Sequence, residues 1–293
     1  MRGVTMLHGT LATILTAVVV VFIAASMLRS LHNVVRHERV RQEYRQTVLA
    51  IRWWMLPAAI VQLTVVIAVY VALVNVFPLL GWGWWRMLGN SGNVGLAQTG
   101  QSGWIWAVVG VAVPIVVAAL VPWVAHAEEL AFRYRAEQQG IRRKVTRQVV
   151  FGLTHFWAGI PIGACLALTI SGLYFLMVYL RAIATLGPEV EAARQMPQYE
   201  RLPSPALTDN EDPNAWTELR RERERVRTEN ERRRNEWADS LADQISASRD
   251  RVDQVRRRAV AKSAAAHAVS NWVVIVLLVV FLALRALARY GSQ

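Results

Sequence analysis

The sequence predicts an all-α polytopic membrane protein with about six transmembrane helices and a long, charged, cytosolic helical insertion. Three observations predict it. Of the 293 residues 54% are hydrophobic, and they fall in blocks of about twenty, the length that crosses a bilayer. Short loops rich in arginine separate the blocks. One stretch, Ala184 to Lys262, holds nothing apolar enough to insert.

Leu11 to Leu28 is the first block, followed by a basic loop with Arg29, Arg36, Arg39, Arg41, Arg45 and Arg52. Ala24 and Ala25 would suit a signal-peptide cleavage site, but cleavage would leave these arginines outside, so the block is read as a retained span. Trp53 to Leu80 is the second. In the Gly/Trp/Asn loop that follows, Gly89, Asn90, Ser91 and Gly92 match a GxSG pattern, read as a turn because no helix is there to bury the serine. Trp104 to Ala125 is the third block, with Pro114 and Pro122 read as kinks. A second basic loop carries Arg133, Arg135, Arg142, Arg143, Lys144 and Arg147.

Val149 to Leu180 is too long for one span: its 32 residues would make a helix of about 48 Å against a hydrocarbon core of about 30 Å. Gly159, Pro161 and Gly163 break it, which predicts a short helix from about Arg143 to Ala158, a tight reversal, and a helix from about Ile160 to Ile183. Prolines at 188, 197, 203, 205 and 213 then mark an irregular linker. Asp212-Pro213 offers an N-cap and first residue for a charged helix with i,i+4 pairs such as Arg220 with Glu224, Glu229 with Arg233 and Asp253 with Arg257. Its sparse apolar residues, among them Trp216, Val226, Trp237 and Ile245, predict a solvated helix or helical hairpin and permit a thin coiled-coil seam for a partner or second copy. Ala268 to Leu287 is the last span. The chain thus divides into two N-terminal spans (1–103), a core (104–183), the charged insertion (184–264) and a final span (265–293).

The net charge of +12 divides unevenly: residues 181–262 hold 17 Lys+Arg against 16 Asp+Glu, so the excess sits in the short loops. That is a topology signal, and no nucleic-acid partner is expected. Loops 29–52 and 127–147 carry twelve basic residues against four elsewhere outside the insertion, which places them and the insertion in the cytosol of a multi-pass cell-membrane protein. The single cysteine, Cys165, lies in an apolar run, which excludes an intramolecular disulfide and cysteine-based zinc sites.

The third block ends in HAEELAFRYR, His126 to Arg135. On a continuing helix Glu129 and Arg133 pair at i,i+4, whereas Glu128 points about 140° away from Arg133. A spare carboxylate at membrane depth marks function. Phe151 with His155, and His267 with Asn271, share helix faces in the same way. Taken in order, EELAFR, FGLTH and HAVSN resemble EExxxR, FxxxH and HxxxN, the three motifs of the CAAX-protease and bacteriocin-processing family of intramembrane proteases. The resemblance covers residues 104 to 289 and departs from the family in an insertion of about eighty residues before the third motif and in two extra N-terminal helices.

The resemblance implies hydrolysis of a peptide bond in a membrane-associated polypeptide, near the cytosolic face. Glu128 with His155 would activate water, His267 and Asn271 would polarise the scissile carbonyl, and Glu129 with Arg133 would support them. Phe151 is read as packing beside His155, His126 as interfacial. Two histidines and a glutamate also make a His₂Glu set for one divalent metal such as zinc, but no HExxH is present and metal-free glutamate chemistry is preferred. The alternative is a non-enzymatic membrane scaffold or immunity-type protein that binds a partner through the 215–262 helix. A transporter fits less well, because the ionisable residues cluster near one face instead of along a path through the bilayer.

Overall fold

The computed structural model describes residues 10–89, 96, 99, 103–195, 199–206 and 213–290. Residues 90–92 of the GxSG pattern and Asp212 lie outside the described residues. Among the described residues every regular element is helical: α1 (Thr10–Arg36), α2 (Glu38–Leu49), α3 (Met55–Val76), α4 (Trp104–Arg133), α5 (Ile141–Thr154), α6 (Ile162–Thr185), α7 (Gly187–Arg194) and α8 (Pro213–Tyr290), with short 3₁₀ turns between some of them. Among the described residues, five helices are long and apolar enough to cross a membrane: α1, α3, α4, α6 and α8. The chain is an all-α polytopic membrane protein. The sixth expected span is the short α5, whose 14 residues rise only about 21 Å.

Two compact units divide the chain: Met1–Thr185 with Arg256–Gln293, and Leu186–Val255. In the first, α6 packs against both α3 and α5, and α4 against α1 and α2. The core joins Met55 and Ala59 of α3, Phe151 of α5, Phe175 of α6, and Ala265, Ala266 and Val269 of α8. Along α8 the run of alanines lets the backbone come close to its neighbours, and Ala264 and Ala268 face Val121 and Ala125 of α4. Polar ties cross the same interfaces. Gln62 Nε2 donates to Ser171 Oγ (2.5 Å), Trp272 Nε1 to the Ala118 carbonyl (2.8 Å), and Glu137 accepts from both Tyr179 Oη and Arg256 Nε at 2.8 Å.

The reversal between α5 and α6 follows from its residues. His155–Ala158 tighten into a 3₁₀ turn, Gly159 adopts a left-handed φ of 79°, and Pro161 leads into α6. A Cβ on Gly159 would also sit 2.8 Å from Trp85 Cβ, so glycine is needed twice over.

The second unit holds α7 and the first part of α8. Residues 199–206 run back along α8 as an extended strap. Asn230 clamps both backbone groups of Leu202 (2.8 and 3.1 Å), Tyr199 Oη donates to the Asn230 carbonyl, and Arg223 donates to the Pro205 carbonyl. Tyr199 also packs against Trp237, so the chain itself covers part of the face that the sequence leaves to solvent or a coiled-coil partner. One expectation needs correction here. The charged helix and the last span are not separate helices or a hairpin: α8 is a single helix of 78 residues. No Gly or Pro interrupts residues 214–290, and the composition changes from charged to apolar without a helix breaker.

α5 and α6 meet at Gly152, where an added Cβ would collide with the Cys165 carbonyl oxygen and lie 3.0 Å from Thr169 N. Gly152→Ala should therefore destabilise the detergent-solubilised protein by about 1–3 kcal/mol in thermal or denaturant unfolding. Gly140→Ala, with open space around it and an ordinary φ of −67°, should leave stability unchanged.

Candidate active site

α4 stays helical through Arg133 and so sets Glu129 one turn from it, as the spacing requires. Arg133 Nη1 donates to Glu129 Oε1 at 2.8 Å, and both side chains are fully buried. The guanidinium lies 4.0 Å from the centroid of the Phe151 ring and reaches the Gly172 carbonyl at 3.5 Å. Phe151 is therefore more than packing for His155: it is the surface on which the buried cation rests.

α8 supplies the other half of the cluster from one face. Ser263 Oγ lies 2.6 Å from Glu129 Oε2 and 2.8 Å from the Phe175 carbonyl, sharing its proton between them. One turn on, His267 Nδ1 is 3.0 Å from Glu129 Oε1. An ionised carboxylate only accepts, so Nδ1 carries a proton and donates it to Glu129. The imidazole is clamped between aromatic rings, stacked on Phe175 at 4.3 Å and 19° and edge-on to Phe151 at 5.7 Å.

His267 Nε2 is thereby aimed at Glu128, whose Oε2 lies 3.5 Å away. That is close enough for an ion pair and too long for a hydrogen bond. Glu128 Oε2 has no hydrogen-bond partner among the described residues, while the side chain as a whole remains 33% exposed. The two adjacent carboxylates thus differ in kind. Glu129 is saturated by Arg133, His267 and Ser263; Glu128 is reachable from outside and faces one imidazole nitrogen.

His155 sits at the end of α5, half-buried, with Nδ1 2.8 Å from the Phe151 carbonyl and its ring 4.9 Å from the Phe151 ring. This is the contact of a packing histidine, and it leaves Nε2 for other use. Glu128 faces His267, and the Phe151 ring contacts both histidines. Asn271 lies one turn beyond His267, half-buried and with no hydrogen bond to another described residue. His126, read as interfacial, is buried, with Nδ1 3.1 Å from Thr47 Oγ1, because α2 folds over this part of α4.

Among the described residues no three His, Cys, Asp or Glu side chains are placed to hold a metal ion. His267 turns each nitrogen toward a carboxylate, and His155 commits Nδ1 to a backbone carbonyl.

Removing Arg133 alone would leave Glu129 buried without its cation. Arg133→Met should cost about 3–5 kcal/mol in unfolding free energy, and Ser263→Ala about 1 kcal/mol. The double variant Glu129→Leu/Arg133→Met should recover most of the loss, because apolar replacement of a whole buried pair is tolerated. An Arg133→Met protein as stable as wild type would show that the pair is not load-carrying.

No family model matches the chain, and no curated protein or solved structure matches it significantly.

Proposed function

We propose that the chain is an intramembrane endopeptidase of the CAAX-processing type, hydrolysing a peptide bond in a membrane-associated polypeptide. The observation that carries this reading is the division of labour between Glu128 and Glu129. A buried Glu129 orients His267 through Nδ1, as the carboxylate of a catalytic triad orients its imidazole, and an accessible Glu128 faces Nε2. The three sequence motifs, in family order, support the same reading.

In the proposed reaction Glu128 takes a proton from water as its oxygen adds to the scissile carbonyl carbon. The developing oxyanion is held by His267, protonated on both nitrogens, with the Asn271 amide beside it. With His267 protonated, Glu128, Glu129, Arg133 and His267 sum to zero charge, which favours such a cluster at membrane depth. The tetrahedral intermediate collapses with cleavage of the C–N bond, and Glu128 returns its proton to the leaving amine. His155, with Nε2 uncommitted, would contact the incoming water or peptide. Glu129, Arg133 and Ser263 are positioning residues.

Two experiments test the reading. Purified protein in liposomes should cleave members of a pooled membrane-peptide library. Glu128→Gln should lose at least about 100-fold in kcat/KM with its unfolding curve unchanged, and His155→Ala should lose activity as well. Activity that persists in a chelator would fit carboxylate chemistry, whereas loss restored by zinc would assign a metal. No cleavage by wild type across the library, together with loss of cellular function on deleting 215–255, would favour the scaffold reading, to which the separate compactness of Leu186–Val255 lends support.

By the positive-inside rule the basic loops, the second unit and the site belong at the cytosolic face. In a Cys165→Ser background, a cysteine replacing the exposed Asn235 should react with a membrane-impermeant maleimide only in inverted vesicles. Reaction in intact cells would reverse the orientation.

A further inference from the structure

A cavity of about 750 Å³ opens in the first unit among the end of α2, the start of α3, the end of α6 and α8. Four cations line it, Arg52, Arg181, Arg258 and Lys262, and all four are exposed. No acidic side chain lines it among the described residues. Below the cations the wall is apolar, with Leu49, Trp54, Met55, Met177 and Val178.

The cavity lies at a defined level on the membrane-crossing helices. Met55 is the first residue of α3, Thr185 the last of α6, and Lys262 immediately precedes the run from Ser263 and Ala264 into the apolar part of α8. Trp53 and Trp54, 85% and 41% exposed, stand beside it, where indole rings settle at a bilayer interface. Arg52 is held at this level by donating Nη1 to the carbonyls of Leu49 and Ile51, both at 3.2 Å. Basic side chains at headgroup depth above an apolar slot between membrane helices match the two ends of one molecule.

We propose that this cavity is a binding site for an anionic phospholipid, with its phosphate on Arg52, Arg181, Arg258 and Lys262 and an acyl chain along Trp54, Met55, Met177 and Val178. Guanidinium groups hold a phosphate through paired hydrogen bonds, and the lining among the described residues carries four cations and no carboxylate. A zwitterionic lipid fills the slot equally well but gains less from the cations. An acidic peptide satisfies the cations and leaves the slot poorly filled.

Native mass spectrometry of the full-length protein in detergent tests this with dioleoyl phosphatidylglycerol, dioleoyl phosphatidylcholine and glycerol 3-phosphate. Phosphatidylglycerol should be retained at least about 10-fold more tightly than phosphatidylcholine, and glycerol 3-phosphate should not be retained. Arg181→Gln/Lys262→Gln should lower phosphatidylglycerol affinity about 10-fold and leave phosphatidylcholine unchanged, whereas Arg142→Gln/Arg143→Gln, outside the cavity, should have no effect. Equal retention of the two lipids, retention of glycerol 3-phosphate as tight as that of the lipid, or an equal loss in the control pair would each overturn the proposal. A photoreactive phosphatidylglycerol on wild-type protein gives a reading independent of the variants: it should label peptides containing Trp54 or Met177, and labelling confined to other helices would refute the site.

Discussion

Glu129 and Arg133 have no access to solvent, and a lone charge at that depth in a membrane helix costs several kcal/mol. Their ion pair on α4 therefore constrains whatever surrounds it. The guanidinium needs a polarisable surface, which Phe151 of α5 supplies; the carboxylate needs donors for its remaining lone pairs, which Ser263 and His267 of α8 supply. Phe175 of α6 closes the arrangement by stacking on His267 and accepting from Ser263. Four helices are thus held in mutual register by one pair, and Glu128, next in sequence to Glu129, is left facing an imidazole that it did not have to orient.

Much of this was legible before the structure. Apolar blocks mark the membrane helices because length and composition suffice for that assignment, and Gly159 with Pro161 announced the reversal between α5 and α6. The pairing of Glu129 with Arg133 is a local property of a helix and follows from their spacing. What stayed hidden depends on contacts between helices. Spacing within α4 cannot tell that His267 would meet both glutamates, or that His155 would set Nδ1 on the Phe151 carbonyl. His126 looked interfacial because nothing in its own segment reports that Thr47 of α2 lies over it. Ser263 could have been found, since it precedes His267 by one helical turn and shares its face. The continuity of α8 could have been found too. The composition changes from charged to apolar, but no Gly or Pro in 214–290 breaks the helix.

The polar cluster and the cation-lined cavity share α6 and α8, and Met55 of α3 belongs both to the apolar core around Phe151 and to the cavity wall.

The central claim, that Glu129 fixes the orientation and protonation of His267 so that Nε2 faces Glu128, is tested most directly by ¹⁵N NMR of histidine-labelled protein in nanodiscs, with His267 assigned by its loss in His267→Gln. The account predicts a proton on Nδ1 that is strongly hydrogen-bonded in wild type and loses that bond in Glu129→Gln. A neutral His267 protonated only on Nε2, with shifts indifferent to Glu129→Gln, would contradict it.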